Sequence, residues 1–154
     1  MSATPPPKAV LDCVVFVQAA LSEQGPAARL LRMAEAHIVE LVVSGAVLDE
    51  VAEVLERPSL RAKSPQLTLQ RIDQFLDHVR RVATFVAEVP RLVRLERDPD
   101  DEAYVNLAIA AGVEYIVTRD RDLLDLSGEG VPMTASGKRL RIVTPEDFLA
   151  ILLR

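Results

Sequence analysis

The sequence predicts an α/β domain, a central and mostly parallel sheet of about five strands flanked by helices. Three observations carry that expectation. Short runs rich in valine, leucine and isoleucine alternate with longer stretches whose apolar residues recur at spacings of three and four, the pattern of strands joined by crossover helices. The first run, residues 9–16 (AVLDCVVF), is nearly unbroken in apolar character, like a strand covered on both faces. Proline, glycine or a small hydroxyl residue stands at most junctions, where helices start and stop.

Residues 1–7 are small and proline-rich and are expected to form a loose arm ahead of a single domain over residues 8–154. Residues 9–16 are the expected first strand. After Gly25-Pro26 the segment AARLLRMAEAH has helical spacing, and Pro26 suits a first turn. Residues 38–43 read as a second strand. Ser44 is placed to cap a helix through Val47, Val51, Val54 and Leu55, which Pro58 stops. Ser64-Pro65 repeats the signal ahead of the longest helix, marked by Leu69, Ile72, Phe75, Leu76, Val79 and Val82. Phe75 and Leu76 are expected in the core, with an interface as the alternative. A third strand is expected within residues 84–89. Asp100 is placed to cap a helix whose Ala103, Leu107 and Ala110 share a face and whose end is marked by Gly112. Residues 115–118 form the fourth strand, 128–137 a mobile loop and 140–143 the fifth strand. Thr144-Pro145 opens a last helix through Phe148, Leu149 and Leu152.

Composition narrows the function. Eighteen basic residues against 23 acidic ones give a formal net charge of -5, unlike the strongly basic balance of many nucleic-acid binders. Any cationic face must be local. Arg119, Arg121, Lys138, Arg139 and Arg141 lie near the predicted sheet edge, and Arg57, Arg61 and Lys63 form a second group; a solvated surface set explains both equally well. Four Phe, two Tyr and no Trp leave little sign of a base-stacking platform. The single cysteine, Cys13, cannot form an internal disulfide, and no apolar run approaches the roughly 18 residues of a membrane helix. A cytoplasmic location is expected. His37 and His78 lack metal-ligand spacing, and neither a Walker loop nor a dinucleotide glycine fingerprint occurs, so nucleotide cofactors are not expected.

Four acids stand where such a fold collects its chemistry, at the carboxyl ends of the strands. Asp12 lies inside the first apolar run, where an unpaired carboxylate is costly. Asp120 follows strand four, and Asp101 lies in the first turn of a helix approaching the same edge. Glu50 sits about two turns into its helix and reaches the edge only if that helix leans across it. Taken singly, Asp120 could serve a turn, Asp101 could favour a helix amino terminus alongside Asp98, Asp100 and Glu102, and Glu50 could belong to a solvated face with Asp49 and Glu53. Taken together, converging carboxylates repel, and a hard divalent cation relieves the repulsion.

The blocks VLDCVVFVQAALSEQGPAARLL, SGAVLDEVAEVLERPSL, RDPDDEAYVNLAIAAGVEYIVTRDRDLLDL and RIVTPEDFLAILL resemble, in order and spacing, the PIN-domain family of metal-dependent ribonucleases, which includes toxins of bacterial toxin-antitoxin pairs. The resemblance implies a three-layer sandwich. It places Asp12, Glu50, Asp101 and Asp120 on the family's acidic metal-binding and catalytic positions, with Asp122 a nearby acid that joins them in some members. It further implies Mg²⁺ or Mn²⁺ as cofactor, RNA as substrate, a homodimer and an antitoxin protein as partner. The chain departs from the family at Asp12-Cys13-Val14, where Ser or Thr and then Asn usually follow the Asp. Valine cannot replace the amide's hydrogen bonds, so a weakened enzyme or a binding module that has lost turnover is the alternative. A phosphoryl-transfer protein of the haloacid-dehalogenase or receiver type is disfavoured, because Val14 stands where the former needs a second Asp and the latter's lysine has no counterpart.

Overall fold

The computed structural model describes residues 4–94, 99–126 and 139–154, with Pro99 and Asp100 described by their backbone alone. The expected loop over 128–137 and Lys138 lie outside the described residues. Five parallel strands form one sheet in the order β3-β2-β1-β4-β5, and helices flank it as a PIN-like sandwich. The central strand β1 (Lys8–Leu11) is followed by α1 (Cys13–Leu21) and α2 (Pro26–Glu35), which lead to β2 (Glu40–Ser44). Next come α3 (Gly45–Leu55), α4 (Pro58–Lys63), α5 (Leu69–Val82) and the edge strand β3 (Thr84–Val86). The chain then crosses to the other half of the sheet through α6 (Pro99–Ala111), β4 (Tyr115–Val117), α7 (Arg121–Asp125), β5 (Arg141–Val143) and α8 (Pro145–Leu152).

This order puts the reversal of winding between β1 and β4, and the crevice outside their carboxyl ends is where such sheets hold ligands. Register fixes what enters it. Leu11 pairs with Val117, so the next residues, Asp12 and Thr118, emerge side by side. Asp12 N–H donates to the Val117 carbonyl at 3.0 Å, and Thr118 N–H to that of Val143 at 2.9 Å.

The first strand is shorter than its apolar run. It stops at Leu11, and residues 13–16 belong to α1. The helix carries Cys13, Val15, Phe16, Val17 and Ala19 in the core, so an all-round apolar surface erased the helical period and its β-branched residues imitated a strand. What ends the strand is Asp12, whose carboxylate accepts from Val15 N–H at 3.1 Å and caps α1.

Two expected caps also move. Ser64 closes α4, and Thr68 caps α5 by accepting from Arg71 N–H. Asp100 lies within α6, which already begins at Pro99. Pro58 both follows the end of α3 and opens α4. Ser44 and Thr144 cap α3 and α8 as expected, Gly112 follows α6 at φ +67, and among the described residues α5 is the longest helix at 14 residues. Leu76 is in the core, and Phe75 packs half-buried against it. The segment before α6 is held by buried Asn106, whose Oδ1 accepts from Leu92 N–H at 2.9 Å and Val93 N–H at 2.7 Å while its amide donates to the Val93 carbonyl. No described helix is long and apolar enough to cross a membrane.

Candidate active site

At the carboxyl edge the chain forms a hollow of about 220 Å³ lined by Asp12, Cys13, Val14, Glu50, Asp101, Tyr104 and Asp120. Each acid arrives from a different segment. Asp12 ends β1 and is buried. Two donors meet its carboxylate, Val15 N–H on Oδ1 and the Thr118 hydroxyl on Oδ2. Thr118 also accepts from Asp120 N–H at 2.9 Å, so one hydroxyl joins the ends of β1 and β4. Asp120 caps α7 by accepting from Asp122 N–H at 2.9 Å; the turn role and the pocket role coincide in one residue. Asp101 and Tyr104 stand three apart on α6 and therefore share a face, both nearly inaccessible to solvent. Glu50 reaches the edge because Ser44, the last residue of β2, caps α3 there. Its Oε2 accepts from the Tyr104 hydroxyl at 3.0 Å. Asp122 is exposed and does not line the hollow.

The sequence profile of the PIN domain matches residues 8–122, a stretch that includes all four acids of this hollow. The chain belongs to the PIN-domain family. It is also 25% identical over 142 residues to an uncharacterized protein of Methanocaldococcus jannaschii, an alignment covering 92% of this chain and 89% of that one. PIN domains are generally nucleases and usually use divalent metals.

In this PIN domain the electrostatics of the hollow favour added positive charge. Burial raises the pKa of Asp12 above its ordinary 3.8; the hydrogen bonds from Thr118 and Val15 oppose the rise, and the charges of Asp120 and Glu50 add to it. Burial, reinforced by Glu50 and Asp12, pushes the Cys13 thiol up to about 12. Cys13 therefore stays protonated and is a poor nucleophile. The donor set consists of carboxylate oxygens, the hard ligands that Mg²⁺ and Mn²⁺ take. Among the described residues no three His, Cys, Asp or Glu side chains are already drawn into a metal-ligand cluster. The carboxylates of Asp12, Glu50 and Asp120 are instead engaged with Thr118, Tyr104 and Asp122. The donors fit a divalent cation chemically.

The expected cationic edge is divided. Arg119 is held by Gln18 at 2.6 Å and Glu146 at 2.7 Å, bracing α1 against the start of α8. Arg141 pairs in register with Tyr115, the first residue of β4, and lies 5.5 Å from its ring centroid. It therefore stands at the amino edge, away from the acids. Arg121 and Arg139 are exposed. In the second group Arg61 bonds the Leu67 carbonyl. Arg57, the residue before α4, pairs with Glu53 at 3.8 Å. Tyr104 is absent from the candidates that the sequence offers, and Thr118 enters there only as the last residue of the expected fourth strand. The available signals were the three-residue spacing from Asp101 to Tyr104 and the Thr118-x-Asp120 spacing.

Proposed function

We propose that this chain is a Mg²⁺- or Mn²⁺-dependent endoribonuclease that hydrolyses RNA phosphodiester bonds, with Asp12, Glu50, Asp101 and Asp120 as its cation ligands. The observation that carries the reading is the convergence of these four acids, from four distant segments, on one hollow at the switch point of the sheet. A divalent cation in such a site supplies Lewis acidity toward a phosphate oxygen and lowers the pKa of an attacking water. The chain's own residues set the stage. Thr118 and Val15 N–H fix the direction of the Asp12 carboxylate, Asp122 N–H fixes Asp120, and the carboxylates supply the negative charge that draws the cation to the scissile bond.

RNA cleavage by purified protein tests the proposal. Cleavage is expected with Mg²⁺ or Mn²⁺ and is expected to vanish in EDTA; cleavage indifferent to EDTA would refute the metal-dependent mechanism. A second reading, a PIN-fold binding module with weakened turnover, is favoured by Val14, which lines the hollow 49% exposed and offers no hydrogen bond. A gain of rate in Val14→Asn supports a weakened enzyme, whereas RNA retention with no cleavage in either protein supports the module. The toxin reading, with an antitoxin partner and a homodimer, rests on family membership alone. Growth arrest on expression, relieved by the neighbouring reading frame, is its test.

A further inference from the structure

One phenol connects three of the acid-bearing segments. The Tyr104 hydroxyl accepts from Cys13 N–H at 3.0 Å and donates to Glu50 Oε2 at 3.0 Å, so both its donor and an acceptor position are used. Cys13 follows Asp12 directly, and Tyr104 shares the inner face of α6 with Asp101. We propose that Tyr104 is a positioning residue of the cation pocket, its hydroxyl fixing Glu50 as a ligand and setting the spacing between Glu50 and the end of β1. This rests on the reading of the pocket as a divalent-cation site.

Glu50 needs such a partner. It lies on the exposed side of α3, and a glutamate has three rotatable bonds whose freedom must be lost before it can ligate. Tyr104 is 4% exposed, so its ring is held by packing and its hydroxyl is a fixed point. Val14 on the same wall supplies no competing donor. The role of Tyr104 complements that of Thr118, which joins Asp12 to Asp120; the two hydroxyls together tie all four acid-bearing segments to one frame. Residues that orient metal ligands in this way set affinity as well as rate.

The test is Mn²⁺ binding to the metal-free protein, without RNA, by titration calorimetry. Tyr104→Phe keeps the ring and removes only the hydroxyl. It is expected to weaken Mn²⁺ binding about 10–100-fold while leaving KM for RNA near its wild-type value. In a Glu50→Ala background the same substitution is expected to change Mn²⁺ affinity by less than about twofold, because its effect passes through Glu50. Full Mn²⁺ affinity in Tyr104→Phe, equal losses in both backgrounds, or an unaltered affinity in Glu50→Ala alone would each overturn the positioning role. A wild-type protein whose Mn²⁺ binding is unchanged by Asp12→Asn would overturn the reading of the pocket itself, a failure distinguishable from the first three.

Discussion

Asp12→Asn is expected to lower metal-supported RNA cleavage by about 10²–10⁴-fold, the several kcal/mol that a correctly held cation contributes, while making the metal-free protein more stable at pH 7. Both halves follow from one residue. The folded state raises the pKa of Asp12, first by burial and then through Asp120 and Glu50, so it holds the proton more tightly than the unfolded chain does. As pH rises from the ordinary value of 3.8 through the raised one, the unfolded chain releases its proton first and stability falls. At pH 7 the whole penalty is present. Asparagine carries no charge and its side-chain oxygen still caps α1. Its amide nitrogen meets the Thr118 oxygen and gives up the bond that Thr118 donates to Asp12, so the gain is the relieved charge less that bond. The variant's midpoint should therefore exceed that of the metal-free wild type, by about 2–4 °C for each kcal/mol relieved. The gap should narrow as pH is lowered toward 4. Thermal unfolding in EDTA across that range checks the sign. Saturating Mn²⁺ should reverse the order, since a cation at 100 times its Kd adds about 2.7 kcal/mol to the protein that binds it. A metal-free variant less stable than wild type at pH 7 would show that Asp12 is satisfied as an anion without any cation.

Thr118→Val is the second large effect. The substitution keeps shape and β-branching and removes a hydroxyl that donates to Asp12 and accepts from Asp120 N–H. Thr118 is fully buried, so water cannot replace it readily. Leaving those groups unpaired costs about 1–3 kcal/mol, visible as a lower denaturation midpoint. Losing the orientation of two ligands should also cost about 10–100-fold in Mn²⁺ affinity. Thr118→Ser restores the hydroxyl and should recover most of both. Wild-type Mn²⁺ affinity in Thr118→Val would reduce the bridge to a structural contact.

Much of this architecture was legible because the burial pattern and the chemistry of its residues agree. Ser44 and Thr144 combine a hydroxyl with a following helical period, and each caps the expected helix. The run over residues 9–16 misled because α1 is covered on nearly every side; with no polar face, periodicity carries no information, and Asp12 was the true boundary signal. Ser64 and Asp100 failed as caps because capping depends on which residue adopts extended backbone, and Thr68 and Pro99 show that the helices begin elsewhere. Asp12 and Asp120 stand out because each closely follows an apolar strand; Asp101 and Glu50 lie on helices among other acids, and only the order and spacing shared with the PIN-domain family single them out. Glu50 alone looked solvated, and it is exposed; what draws it in is Tyr104, on a helix 54 residues away. Thr118 and Tyr104 act through hydroxyls, whose partners are set by register and helix packing. Arg141 shows the reverse case: it is near strand five in sequence yet at the edge opposite the acids, because it opens the strand rather than ending it.

The proposed activity requires that Asp12, Glu50, Asp101 and Asp120 gather around a cation. Anomalous diffraction from crystals soaked in Mn²⁺ measures this directly. A peak within the hollow, with Asp12 and at least two of the other three acids turned to about 2.0–2.3 Å from it, is the predicted result. Strong Mn²⁺ peaks elsewhere on the surface, with the hollow empty and Asp12 still held by Thr118, would contradict it.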